Sequence, residues 1–417
     1  YLYCKLKEPD PALEAVVEGA GATNLLNALS RFEGFALQFT FLNNMFYTSM
    51  FLGYNPEYRI VTSSNWETVL EAPVATPPQM VRNHRSGKTN IIVFDETNNM
   101  YLLDHVGRIQ WKLPLVEAPA GEVFMVDYYN NGKYQYLFNT LNYVYLVDLN
   151  GNYVADFPAK LIAPSTSPMA LIDYDNDGNY RLLIALEDNK VYNYNLQLSG
   201  VEGWDKVQAA GTVHKPIQYL RNGGKDYLLV CDDQGHVKIT DRRGRERITP
   251  GSEVHLAENS RFYINRTNSK GLFLTTDSNG KVIYIEEKGR VNRTDFGTFD
   301  PGHYFFYEDF DGDDHHDFIF IDRNRIVVFD RFKKLITEQH ITEVVTRTPV
   351  LFSWAGRRYI GVVLDAVGEI QVYDYQGRRF REQFLEGGLP FATGNLDEGR
   401  LNLITGRVSK VLNYQLN

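Results

Sequence analysis

Asp309, Asp311, Asp313 and Asp317 stand at positions 1, 3, 5 and 9 of the run DFDGDDHHD. Carboxylates at this spacing converge on one hard cation when a tight loop turns alternate side chains inward. The run therefore reads as a candidate Ca²⁺ loop. The competing reading is an acidic, solvated hairpin turn whose carboxylates bond their own backbone. A second version, Asp173, Asp175 and Asp177 before Gly178, keeps three carboxylates, but Arg181 occupies the last ligand position. Asp127, Asn130, Asn131 and Gly132 form a further-decayed copy, read as a turn. The graded decay points to one ancestral hairpin with metal binding kept in at most one or two copies.

Other chemistry is sparse. His315 and His316 are adjacent, so on a strand they face opposite sides. His303 could approach them across the same blade, yet zinc-ligand spacing is absent, so loop or surface histidines are expected. No GxSxG elbow, HExxH or P-loop stands in the chain. Catalytic residues and organic cofactors are therefore not expected. Arg82, Asp127, Asp173, Glu308 and Asp309 sit on or beside innermost strands and are expected to solvate a channel mouth. Most aromatic rings alternate within strands, as packing requires. Tyr128, Tyr129 and Tyr174 fall instead in turns and are the candidates for a contact surface. Cys231, in DYLLVC, reads as a packed thiol rather than half of a disulfide with the distant Cys4.

The elements that position these residues repeat. Asp104, Asp148, Asn195, Asp241, Glu287, Asp330, Asp374 and Gln415 each close a short β-prone run, 41 to 47 residues apart. That spacing is the period of one four-stranded propeller blade. A glycine follows several of the marks (Gly107, Gly151, Gly244, Gly289, Gly377), where a tight turn needs positive φ. Seven blades of four strands can be laid out from residue 79 onward. Their outer strands include YVADF in the second, a run ending near Trp204 in the third and RFREQFL in the seventh. After these only three strands remain, FATGNLD, LNLITG and KVLNYQL. Trp66 precedes Trp111 by about one period, so residues 64–70 read as an outer strand with no blade of their own. The prediction is an all-β, eight-bladed β-propeller over 63–417, its last blade closed by this N-terminal strand. Closure matters because an open ring leaves unpaired strand edges.

Residues 1–62 do not follow the repeat. PALEAVVEGAGATNLLNALSRF reads as helical in two pieces, and FALQFTF and MFYTSMFLGY as a hairpin about Asn43-Asn44. The expectation is a small α+β segment, either the end of a larger upstream domain or a cap. A net charge of −9 argues against nucleic acid as a partner, and no apolar run is long enough to span a bilayer.

The run from Trp66 to Pro73, with NNMYLLDHVGRIQWKLPL, VDYYNNGKYQYLFNTLNYVYLVDLNGNYVADFPAKL and LIDYDNDGNYRLL, resembles a family of uncharacterised bacterial envelope proteins. In those, a quinoprotein-like (PQQ-like) β-propeller follows an N-terminal domain of unknown function. The resemblance implies a periplasmic or surface-exposed setting and adds no catalytic residue. The acidic run itself resembles the calcium loops of integrin-type propeller repeats, departing at Asp314, where that pattern prefers glycine. Three functions remain open. The first is a non-catalytic interaction platform or scaffold that binds a protein or peptide on one face. The second is a calcium-dependent propeller that binds carbohydrate or cleaves polysaccharide, with a glycan as partner. The third is a structural spacer.

Overall fold

A computed structural model describes residues 2–5, 32–42, 45–54, 64–205, 207–267, 270–380, 384–396 and 399–416. The chain divides into two compact units, Tyr1–Thr62 and Ser63–Asn417. In the first, strands Leu2–Lys5, Phe32–Leu42 and Met45–Tyr54 form one antiparallel sheet. Leu42 pairs with Met45, so the two strands form the hairpin that the sequence predicts, and Asn43-Asn44 lie outside the described residues. Phe39, Phe41, Phe46 and Met50 share one face of it and are exposed. The helical reading of residues 11–31 lies outside the described residues.

The second unit is an eight-bladed propeller of four-stranded antiparallel sheets. Each blade runs from an inner strand a to an outer strand d, and the two middle strands explain the apolar runs in the sequence. Strands b and c have neighbours on both faces, so Asn90–Phe94, Gln135–Asn139 and Asp317–Asp322 are buried throughout. Outer strands face water on one side and alternate, as Ile109–Pro114 does. A hydrophobic cluster fills each gap between neighbouring blades, including the gap between the last and the first. There, Leu389, Ile404 and Val411 pack with Ile91, Val93 and Tyr101.

The ring closes as the Trp66–Trp111 spacing predicts. Trp66–Val69 pairs antiparallel with Lys410–Asn413 and completes the sheet of Ala392–Gly394, Leu401–Arg407 and Lys410–Leu416. Asn65 N–H donates to Asn413 O at 2.7 Å, and Leu70 N–H to Ser409 O at 2.7 Å. The Trp66 ring lies over Gly107 in the neighbouring blade, and Trp111 lies over Gly151 one blade on. Both glycines have positive φ, +83° and +84°, so the bare Cα that lets the indole approach is also the residue the turn requires.

The repeat mark has a local cause. Asp104 Oδ1 accepts from the N–H groups of Val106 and Arg108, and Asp148, Asp241, Asp330 and Asp374 repeat the arrangement. Each carboxylate thus caps the turn between strands c and d. In the fifth blade the equivalent residue is Glu286 rather than Glu287, because Glu286 N–H donates to Arg290 O and Gly289 N–H to Glu286 O. Three outer strands lie later than expected. Tyr153 makes one bridge to Val147, a turn at Ala155 (φ +49°) follows, and the strand is Ala159–Lys160. In the third blade pairing resumes at Val207–Gln208, beyond Trp204, and in the seventh at Leu385–Glu386.

Candidate functional site

The alternation of strands gives the disc two unlike faces. Turns a–b and c–d lie on one, here the turn face; connections b–c and d–a lie on the other, the crossover face. The acidic run is the a–b turn of the sixth blade, between Tyr304–Glu308 and Asp317–Asp322.

Ligand oxygens of Asp309, Asp311 and Asp317 lie within 4.8 Å of one another. Asp317 is buried at the start of strand b, and its Oδ2 accepts from Phe310 N–H (2.9 Å) and Asp311 N–H (3.2 Å). Burial pushes the Asp317 carboxyl up to about 7, aided by the charges of Asp311 and Asp313. Burial also raises Asp311. A divalent cation would relieve this repulsion, and in that respect the donor set fits calcium. Asp309 is differently engaged, accepting from Gly312, Asp313 and Asp314 N–H groups with both oxygens. Asp313 Oδ1 accepts from His315 N–H and lies outside the close triad. Asp314 adopts φ +65°, a left-handed conformation that Asp tolerates in place of glycine.

The third-blade copy is arranged otherwise. Asp173 accepts from Asp177 and Gly178 N–H groups and so holds its own turn. Asp177 accepts from Asn179 N–H. Asp175 takes a two-pronged contact from Arg242, at 2.9 and 3.2 Å, which holds its carboxyl below the usual range. Arg242 comes from the c–d turn of the next blade, so the neutralising cation is not Arg181, which bonds Asn179. Of the three tyrosines, Tyr129 is exposed. Tyr128 is half-buried, edge-on to Tyr129 and to Phe157. Tyr174 is buried beneath the Arg242 guanidinium, 4.8 Å from its centroid.

His303 corrects a sequence expectation. It is buried between the fifth and sixth blades, with Nδ1 2.6 Å from Asp300 O and Nε2 2.8 Å from Thr276 Oγ1. Strand a separates it from His315 and His316, so the three do not cluster. Glu308, expected to solvate a channel mouth, pairs with Arg358 of the next blade at 2.9 Å.

The cavity that sequence reasoning did not locate opens at the axis on the crossover face. Its volume is about 780 Å³, and strands a of the second to fourth blades, with the crossover that leads into the fifth, supply much of its wall. Phe124, Met169, Leu171, Ile217, Tyr219 and Phe262 make the wall largely apolar. Gln218 fixes its shape by accepting from Phe262 N–H at 2.9 Å, as Gln79 accepts from Val123 N–H at 2.8 Å three blades earlier in the ring. Lys215 also lines it, with Nζ 2.9 Å from both Ala257 O and Ser260 O. Cys231 is a free thiol in the wall, which burial pushes up to about 12. The available signal was the glutamine at the head of an inner strand, in PPQM and KPIQ, where an apolar residue would be expected.

No known protein family matches the chain, and no curated protein does. Solved structures do. BamB from Moraxella catarrhalis superposes with a TM-score of 0.53 at 14% identity, covering 85% of this chain and 99% of that one. BBS1N in complex with ARL6DN, in crystals soaked with mercury and with lead, gives TM-scores of 0.48 and 0.47 at 11% and 10% identity. Each covers 86% of this chain and 98% of its own. At such identities the likeness to BamB is one of fold, and that fold is the β-propeller.

Proposed function

We propose that the propeller is a non-catalytic interaction platform whose crossover face binds a protein or peptide. The observation that carries this reading is the largely apolar axial cavity opening on the face where exposed aliphatic side chains gather. Val344, Val367, Val408, Val69, Val116, Leu141 and Ile162 all stand in, or at the ends of, crossover-face connections and are exposed. They follow one another through the seventh, eighth, first and second blades, an arc around the mouth. Surface patches of this kind are characteristic of protein contacts. The arc is held in place: Glu117, beside Val116, accepts from Asn142 N–H (2.9 Å) and Thr140 Oγ1–H (2.7 Å) next to Leu141. Preordered loops lose little entropy on binding.

The spacer alternative would leave this cavity unused. A Ca²⁺ ion at Asp309, Asp311 and Asp317 belongs to the proposal as a structural ion of the opposite face. So does an envelope setting, which rests on the family resemblance of residues 66–183. The unit Tyr1–Thr62 is read as the end of a larger upstream domain or as a cap, a reading supported by the exposed Phe39, Phe41, Phe46 and Met50.

Photo-crosslinking tests the reading. A photoreactive amino acid at Val116 or Ile162 should give a discrete protein adduct in cells, and one at Val106 or Phe332 on the turn face should not. Adducts confined to the turn face, or none from either, would refute it.

A further inference from the structure

We propose that the axial cavity anchors a peptide carboxylate carried beside an apolar group, with the Lys215 ammonium as its counter-ion. This rests on the reading of the crossover face as a protein-binding surface and names the chemistry of the segment that enters it.

Lys215 lies in the wall, three residues before the inner strand Gln218–Asn222 of the fourth blade. Two of its three N–H groups go to carbonyls of the next crossover, Ala257 O and Ser260 O, both at 2.9 Å. Those carbonyls hold the ammonium in place and carry no charge to balance it. Among the described residues no carboxylate makes an ion pair with it. Its neighbour Cys231 cannot serve, because burial keeps that thiol protonated. A half-buried cation with only neutral acceptors is electrostatically incomplete, and an entering carboxylate would complete it. Burial lowers the Lys215 pKa, a cost that a bound anion would offset.

The remaining charges are at the rim. Glu122, Glu258 and Arg261 are exposed; the Glu258 charge reaches Lys215 through space without an ion pair, and water screens both carboxylates that would oppose an anion. Arg261 is held over the Tyr263 ring at 5.0 Å and donates to its hydroxyl at 3.1 Å. The rings and aliphatic chains of Phe124, Met169, Ile217 and Phe262 would receive the apolar group, within a volume typical of ligand pockets.

The probe is acetyl-Phe-Leu as the free acid and as the amide, followed by saturation-transfer NMR and calorimetry on the full chain. The acid should bind about tenfold more tightly than the amide, as expected for a charge-assisted hydrogen bond. Lys215→Gln should bring the acid to the level of the amide. Glutamine still offers N–H groups to Ala257 O and Ser260 O, so the fold is kept, and an unchanged melting temperature confirms it. Lys215→Met, which removes those donors too, should give the same loss of binding. Equal binding of acid and amide, no binding of either, or acid binding insensitive to both substitutions would overturn the proposal. In the last case Lys215 is a structural tie only. Crosslinks from Val116 and Ile162 would stand in any of these outcomes, so this inference fails separately from the interaction platform.

Discussion

Replacing Gly151 with alanine isolates the contact that locks one blade to the next. Gly151 has φ +84°, and an added Cβ would lie 2.9 Å from Trp111 Cδ2 and 3.0 Å from Cγ. The indole cannot swing aside freely, since its Nε1–H donates to Leu149 O at 2.9 Å. Holding alanine in the left-handed region costs about 1–2 kcal/mol. Displacing a packed ring adds about 1–3 kcal/mol, so the total is about 3 kcal/mol. Gly132→Ala supplies the control, because Gly132 has φ +75° with nothing within 4 Å of the added Cβ. It should cost only the conformational part, about 1–2 kcal/mol. Urea-induced equilibrium unfolding would measure both, and Trp111→Leu in combination with Gly151→Ala would close a double-mutant cycle. The cycle should return a coupling of at least about 1 kcal/mol. If the two glycine variants agree within about 0.5 kcal/mol, or the cycle shows no coupling, the docking argument is wrong.

Deleting residues 64–70 should lower the melting temperature and promote association, since strand Lys410–Leu416 would lose its partner and become an unpaired edge. An unchanged melt would refute closure by this strand. Calcium should raise the melting temperature of metal-free protein and EDTA reverse it, and Asp317→Asn should abolish the response; no shift in wild type removes the metal from the acidic turn. Burial depresses the His303 pKa in the folded state, so its stabilising effect is present above the unfolded value of 6.5 and is lost as pH falls from there towards the folded value. The loss is at most about 1.4 kcal/mol per pH unit. Melting temperatures from pH 7.5 to 5 should fall less steeply in His303→Gln, and parallel curves would rule the group out.

What the sequence made legible was local. A carboxylate that caps its own turn needs only the two amides that follow within four residues, so Asp104, Asp148 and Asp241 mark the period openly. Even there, the adjacent Glu286 and Glu287 allowed a slip of one, although Gly289 stands three residues after Glu286, the spacing of Gly107 after Asp104. Outer strands in the second, third and seventh blades were placed early because each makes a single bridge, Tyr153, Gly200 or Arg379, some residues before ladder pairing resumes. Non-local features stayed hidden. His303 looked like a loop residue, yet Thr276 of the preceding blade buries it. Tyr174 looked like a rim ring, yet Arg242 from the next blade covers it. The axial cavity gathers side chains one blade-length apart, none of them conspicuous alone.

Polar bridges join blades on both faces, and the faces differ in how many aliphatic side chains they leave exposed. On the turn face, polar side chains bridge between blades: Arg85 to Asn150 at 2.9 Å, Arg242 to Asp175 at 2.9 Å and Arg358 to Glu308 at 2.9 Å. A partner docking there would have to compete with these contacts or accommodate them, with little net gain from exchanging one ion pair for another. On the crossover face the arc from Val344 to Ile162 leaves aliphatic groups in water. Covering them gains roughly 25 cal/mol for each Å² removed from solvent. If binding is what this propeller does, its energy is available on that face. The polar face then serves to hold the ring in shape, and a bound calcium in the sixth blade would add to the same task.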